Sequence, residues 1–223
     1  MTFGNMTNIV FSVGRINPQG GVNLLGTAFF VGHGKFVTAK HVTGGDGTNL
    51  VLLQVDANTL FDYQDTSKLD VLNIAVSIES VDPIRDICIL SVVSEIANET
   101  KTNLIISGTD DIAPGDVIYT FGFPHANEGR FVLTQQNATV GAKILIETQG
   151  IKSKHIIITT QARPGQSGSP VYSIRNSRIE LIGMLIGSYV PSNGGTVSVF
   201  GIDPSTLHQT THIISSEYIR RML

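Results

Sequence analysis

One cysteine, Cys88, stands in the whole chain, so no internal disulfide can form. That suits a reducing cytoplasm, although many exported bacterial enzymes also do without disulfides. Charge is scarce as well. Asp, Glu, Lys and Arg make up 15% of the residues, well below the usual share. A formal net charge of −3 leaves no basic footprint for nucleic acid or for an anionic membrane surface, and neither is expected as a partner. No apolar run approaches the ~20 residues of a spanning helix. The opening Met1-Thr2-Phe3-Gly4-Asn5 has no basic stretch leading into an apolar one, so no signal peptide is expected. The expected compartment is the cytoplasm, with a secreted or periplasmic location left open. Helical 3.6-residue periodicity is almost missing, which removes the all-helical classes.

What is present is a sequence of short segments rich in Val, Ile, Thr and Phe, punctuated by Gly, Asn and Asp. A hydrophobic fraction of 41% is enough for a sizeable core. The segments predict strands at 8–13, 22–31, 35–39, 50–55, 71–78 and 87–92, then at 117–121, 130–140, 143–148, 155–161, 170–173, 179–188 and 197–202. That is too many for one small sandwich. The pattern loosens into polar, turn-rich sequence between Ser94 and Asp116, which divides the strands into two sets of about six. Six strands close a small barrel whose edges are paired away. The expected fold is therefore all-β, two six-stranded antiparallel barrels over residues 1–105 and 106–213 with a cleft between them. Residues 214–223 read as a short helix, with Ser215-Ser216 at its start, Glu217 in the first turn and Arg220-Arg221 in the last.

Arg163-Pro164-Gly165-Gln166-Ser167-Gly168-Ser169-Pro170 is the stretch with the most to offer chemically. Gly165 and Gly168 can take positive φ and bare their backbone N–H groups, so donors near Ser167 can converge as a developing oxyanion requires. The same composition also serves plain turns. A base and an orienting carboxylate decide between the two. Of six histidines, His33 and His125 fall in turns, His155 lies within a strand, and His208 and His212 lie in a polar run before the terminal helix. His41 ends the apolar strand at Phe36-Val37-Thr38-Ala39 and precedes a glycine-rich loop, a placement that is rigid yet open to a cleft. Asp86, at the entrance to Ile87-Cys88-Ile89-Leu90, is the candidate carboxylate. Its rival Asp82 precedes a proline and is more simply a turn initiator.

His41, Asp86 and Ser167 occur in the order known from chymotrypsin. Gly26-Thr27-Ala28-Phe29-Phe30-Val31, Val37-Thr38-Ala39-Lys40-His41-Val42, Arg85-Asp86-Ile87-Cys88-Ile89-Leu90 and Gly165-Gln166-Ser167-Gly168-Ser169-Pro170 together resemble the signature blocks of the chymotrypsin-like serine peptidases. Tyr119-Thr120-Phe121-Gly122-Phe123-Pro124, Leu181-Ile182-Gly183-Met184 and Val199-Phe200-Gly201-Ile202 resemble the bacterial glutamyl endopeptidase and high-temperature-requirement branches. The similarity runs from about Gly26 to the C-terminus. It implies that Ser167 attacks a peptide carbonyl, His41 moves the proton, Asp86 holds His41, and the N–H groups of Gly165 and Ser167 bind the oxyanion. It implies a peptide or protein substrate and no metal or cofactor.

The sequence also departs from the family pattern. Gln166 stands where pancreatic members keep an aspartate that pairs with a freshly cut N-terminus, so that zymogen switch is not expected; activation, where it is needed, falls to loop ordering or an activating partner. The resemblance sets the primary pocket between Thr160-Gln161-Ala162, Ile186-Gly187-Ser188 and Gly201. Gln161 occupies the base position where trypsin-like members carry an acid, and Leu185 stands where glutamyl endopeptidases carry a histidine. An uncharged, small or medium side chain is the expected preference, with Arg163 as a competing source of charge for acidic ones. Two further readings share the fold: a silent peptide-binding pseudoprotease and a viral polyprotein-processing protease.

Overall fold

The computed structural model describes residues 2–67, 72–93, 103–189 and 210–223. Strands β1 (Val10–Ile16), β2 (Val22–Gly32), β3 (Lys35–Ala39), β4 (Leu50–Leu53), β5 (Asn73–Asp82) and β6 (Ile87–Val92) form the first unit. They pair in the order β1-β2-β3-β6-β5-β4, and β1 meets β4 to close the barrel. Val10, Val13, Phe29, Val37, Leu52 and Ile89 are fully buried in its core. Ile87, Cys88, Ile89 and Leu90 are all at 0% exposure, so both faces of β6 are covered. This is why the segment reads as a continuous apolar run instead of an alternation.

The second unit holds β7 (Ile105–Ile106), β8 (Val117–Gly122), β9 (Thr134–Thr148), β10 (Ile151–Ile158), β11 (Pro170–Arg175), β12 (Arg178–Tyr189) and β13 (Thr210–Ser215). Its six long strands run β11-β8-β9-β10-β13-β12, and β11 pairs with β12 to close the second antiparallel barrel. Strand β7 adds itself in parallel to the outer edge of β12. Ile118, Val140, Ile156, Ile158, Ile182 and Ile213 fill the interior.

Several details differ from the sequence reading. The separate strands predicted at 130–140 and 143–148 are one strand, because Gly141 is absorbed as a bulge opposite Ile157 and Ile158. The β9–β10 turn is made by Gln149 and Gly150, both at positive φ, the geometry that matches strand twist. The polar run containing His212 is strand β13; its alternation is hidden because Thr211 and His212 are both buried. The strand predicted at 197–202 lies outside the described residues.

A one-turn helix α1 (Lys40–Thr43) follows β3, and α2 (Ser216–Met222) closes the chain. Ser215 sits at the start of α2 in extended conformation but does not cap it. Its hydroxyl accepts the Thr109 N–H at 3.1 Å, while Ser216 Oγ donates to the Leu181 carbonyl at 2.8 Å. These bonds dock the helix on the second barrel. No helix among the described residues is long and apolar enough to cross a membrane.

Candidate active site

His41 is set by the end of β3, where α1 begins, and Asp86 by the turn between β5 and β6. That turn is tightly built. The Asp82 carboxylate accepts the N–H groups of Ile84 and Arg85 at 3.0 and 3.1 Å and pairs with the Arg85 guanidinium at 2.8 Å. Arg85 lies 4.4 Å over the Tyr218 ring of α2, a cation–π contact that ties the turn to the second unit. The bond to Asp82 holds the Arg85 pKa above its ordinary value. Asp82 is thus the turn builder.

The turn ends at Asp86, which takes a left-handed φ of 58°, a conformation tolerated best by Asn and Asp among side-chain-bearing residues. Its carbonyl accepts the Lys40 N–H at 2.9 Å. Its Oδ1 accepts the His41 N–H at 2.9 Å, and its Oδ2 meets His41 Nδ1 at 2.5 Å. A carboxylate engaged this way fixes the ring orientation and makes Nδ1 the protonated nitrogen. Nε2 is left as the acceptor.

Ser167 lies on the turn before β11. Its carbonyl accepts the Thr27 N–H at 2.9 Å, and its Oγ donates to the Ile186 carbonyl at 3.0 Å and not to His41. Gly26 lies between the two halves of the site. A Cβ there would be 2.8 Å from Val42, the neighbour of His41, and 3.1 Å from the Ser167 carbonyl. The turn brings the serine to the same point of β2 that α1 packs on.

Hydrogen bonds hold each peptide of the turn in one orientation. The His125 N–H donates to the Pro164 carbonyl at 2.6 Å, the Gln166 N–H to the Arg163 carbonyl at 3.1 Å and the Ser169 N–H to the Gln166 carbonyl at 3.0 Å. The Thr27 hydroxyl donates to the Gly165 carbonyl at 2.9 Å. Gln166 is buried; its amide accepts the Arg163 N–H at 2.7 Å and donates to Gln136 at 2.8 Å. A neutral side chain thus ties the turn internally. Among the described residues the N–H groups of Gly165 and Ser167 have no backbone acceptor. Gly165 and Gly168 have φ of 88° and 87°.

Of the predicted pocket residues, Ile186 and Gly187 lie beside Ser167, and a Cβ on Gly187 would stand 3.6 Å from Ser167 Oγ. Ala162 is anchored from below by its N–H to Thr211 Oγ1 at 2.7 Å, and Thr160 Oγ1 donates to the Asn137 carbonyl at 3.2 Å. Gln161 stands between them, and Ser188 continues β12. Leu185 points into the second core, away from Ile186. Gly201 lies outside the described residues.

Sequence reading assigned no site role to Thr27, Phe123, His125 or His212. Thr27 and Phe123 stand in recognised blocks, but nothing in the residue types discloses that Thr27 bridges the barrels. His212, on β13 opposite Gly187, lies 5.4 Å from the His155 ring. Burial pushes His155 down to about 4, with His212 adding to the effect. Burial lowers His212 too, opposed by the charge of Asp86. Cys88 is buried and free, its thiol pushed up to about 11 by burial, which makes it a core residue and not a nucleophile. Among the described residues no three or more His, Cys, Asp or Glu side chains gather closely enough to hold a metal ion.

Comparison with solved structures finds the same fold at low identity. The MamO protease domain of Magnetospirillum magneticum aligns with a TM-score of 0.66 at 13% identity, covering 96% of this chain and 95% of that one. The active form of the Rv3671c protease of M. tuberculosis gives 0.64 at 16%, covering 96% and 78%. Deg5 gives 0.64 at 17%, covering 97% and 88%. No curated protein sequence matches. The sequence model of the trypsin-like peptidase domain matches residues 26–184, a span that takes in His41, Asp86 and Ser167, and the chain belongs to that peptidase family.

Proposed function

We propose that the chain is a serine endopeptidase that cuts peptide bonds through Ser167, His41 and Asp86. Ser167 Oγ leaves the Ile186 carbonyl and turns to His41 Nε2, which takes its proton as Oγ bonds to the scissile carbonyl carbon. The tetrahedral oxyanion is met by the N–H groups of Gly165 and Ser167. His41 then gives its proton to the leaving amine, the C–N bond breaks, and an acyl-enzyme remains. Water, deprotonated by His41, bonds to the acyl carbon; the Oγ–C bond then breaks, Ser167 Oγ takes the proton back from His41, and the acid leaves. Asp86 keeps Nδ1 protonated and stabilises the imidazolium. The observation that carries this reading is the His41–Asp86 pair, 2.5 Å from Nδ1 to Oδ2, beside a serine turn in which the N–H groups of Gly165 and Ser167 have no backbone acceptor among the described residues.

Ser167 Oγ bonded to Ile186 and not to His41 favours a second reading, a peptide-binding pseudoprotease. A fluorophosphonate probe separates the two. It labels Ser167 in the enzyme and is lost in Ser167→Ala; a wild-type protein that stays unlabelled while still binding peptide sinks the enzyme reading. For the labelled enzyme, peptide-library profiling is expected to select an uncharged small or medium residue before the cut, since Gln161 brings no charge to the pocket base.

A further inference from the structure

We propose that Tyr218 on α2 is a positioning residue that acts through Arg85, so that the contact between its ring and that guanidinium keeps the His41–Asp86 pair of the first barrel in reach of Ser167 on the second. This rests on the protease reading above. Ser167 and the proposed pocket residues Thr160, Ala162, Ile186 and Gly187 lie on the chain from β10 to β12, whereas His41 and Asp86 flank strands of the first barrel. Thr27 ties the barrels at the serine end, through its bonds to the Ser167 and Gly165 carbonyls. A tie at one end leaves rotation about it. A second tie at the carboxylate end removes that rotation.

The second tie starts from a ring that cannot move far. Tyr218 is 6% exposed, and its hydroxyl accepts the Lys154 N–H of β10 at 2.9 Å, which pins the outer edge of the ring to the second barrel. The helix that carries it is docked by Ser216, whose hydroxyl accepts the Gly108 N–H at 3.0 Å and donates to the Leu181 carbonyl at 2.8 Å. Against this ring lies Arg85, with 4.4 Å from guanidinium carbon to ring centroid. One amino nitrogen of the guanidinium pairs with Asp82 at 2.8 Å, and Nε is buried with no hydrogen-bond partner among the described residues. A planar cation held by one carboxylate and one aromatic face takes its tilt from the face. From there the tie runs to the triad in short steps. Asp82 also accepts the N–H groups of Ile84 and Arg85, and so fixes the turn from which Asp86 emerges at its left-handed φ. Asp86 in turn accepts the Lys40 N–H on its carbonyl and the His41 N–H on Oδ1. A shift of the turn therefore carries Asp86 and His41 together, and leaves the pocket where it was.

The test compares Tyr218→Leu, Tyr218→Phe, Arg85→Gln and the double variant with wild type on a fluorogenic peptide that the wild type cleaves, at equal concentrations of folded protein. Leucine removes the ring, phenylalanine keeps it without the hydroxyl, and glutamine removes the cation from a side chain that is 21% exposed. Tyr218→Leu is expected to lower kcat roughly 10- to 100-fold, up to what a misplacement of about 1 Å costs, with KM within about threefold of wild type. Fluorophosphonate labelling of Ser167 slows by the same factor, while binding of the uncut peptide in a Ser167→Ala background is unchanged. Tyr218→Phe keeps most of the rate. Arg85→Gln gives the same split of kcat from KM and answers the question even where the leucine variant does not fold. The double variant is no slower than the slower single one, because both changes remove one contact. An active wild type with indifferent Tyr218→Leu and Arg85→Gln overturns the second tie alone, as do losses that multiply in the double variant or a weakening of uncut-peptide binding in step with kcat. A wild type that neither cleaves nor takes the fluorophosphonate overturns the protease reading and the second tie with it.

Discussion

The stability of the second barrel should depend on pH through one buried histidine. His155 is 7% exposed, and its folded pKa is lowered from 6.5 to about 4, first by burial and then by His212. Below pH 6.5 the unfolded chain binds a proton at this residue that the folded chain refuses until about pH 4, so acidification favours unfolding across that window. The contribution is complete above the unfolded value and gone below the folded one. At about 1.4 kcal/mol per pH unit, the span from 6.5 to about 4 is worth roughly 3–4 kcal/mol, of which about 3 has been lost by pH 4.0. The ring facing His155 is that of His212 on β13, whose own pKa is lowered by burial against the opposing charge of Asp86. Urea unfolding of the wild type and of His155→Gln at pH 7.5, 6.0, 5.0 and 4.0 isolates the residue, because carboxylates common to both proteins cancel. The wild type should lose about 3 kcal/mol more than the variant between the first and last of these. Parallel curves would show that the imidazole is as free to protonate in the fold as out of it, refuting the reasoning.

Two further outcomes follow from the site. Asp86→Asn keeps an oxygen for the His41 N–H and a residue at ease at the φ of 58°, so its melting temperature should stay near wild type. It reverses the preferred His41 tautomer, and kcat should fall about 10⁴-fold, the loss known for this change in a Ser-His-Asp triad; comparable loss of stability and rate would instead make Asp86 a folding residue. Gly168→Ala puts a Cβ 2.0 Å from the Thr27 carbonyl at a φ of 87°, adding a backbone clash to the ~1–3 kcal/mol of left-handed strain. Urea titration should show a loss of at least about 3 kcal/mol, and a loss under 1 would mean that the turn moves freely against β2.

Sequence disclosed the parts of the molecule where backbone geometry restricts residue type. Gly165 and Gly168 stand at positive φ against neighbouring main chain, so glycine at these positions leaves a mark readable without coordinates. The strand following Asp86 is apolar on both faces and reads as a continuous run, and the one leading to His41 is buried from Phe36 to Ala39. The elements that escaped are those whose signal is short or mixed. Strand β7 is two residues long. Strand β13 buries Thr211 and His212 among its isoleucines, and its polar letters read as loop. His125 passed as a solvated turn residue, because the bond its N–H makes to the Pro164 carbonyl uses an atom that every residue but proline carries.

The block Gly26-Thr27 marks the family although neither residue does chemistry, and its contacts explain why. Thr27 donates its N–H to the Ser167 carbonyl and its hydroxyl to the Gly165 carbonyl, while that hydroxyl also accepts the Phe123 N–H. Its own carbonyl accepts the Thr38 hydroxyl at 2.7 Å from β3, the strand that leads to His41. The serine turn, the loop after β8 and the strand leading to His41 therefore meet at one residue. Valine would fill the space but lose the hydroxyl, leaving the Phe123 N–H and the Gly165 carbonyl buried without it, at ~1–3 kcal/mol for each orphaned group. Gly26 is held for the complementary reason, since any side chain would wedge Val42 from the Ser167 carbonyl. The proposed triad, divided between two barrels, needs such a joint, because His41 and Ser167 on separate cores stay in register only where the cores are stitched main chain to main chain.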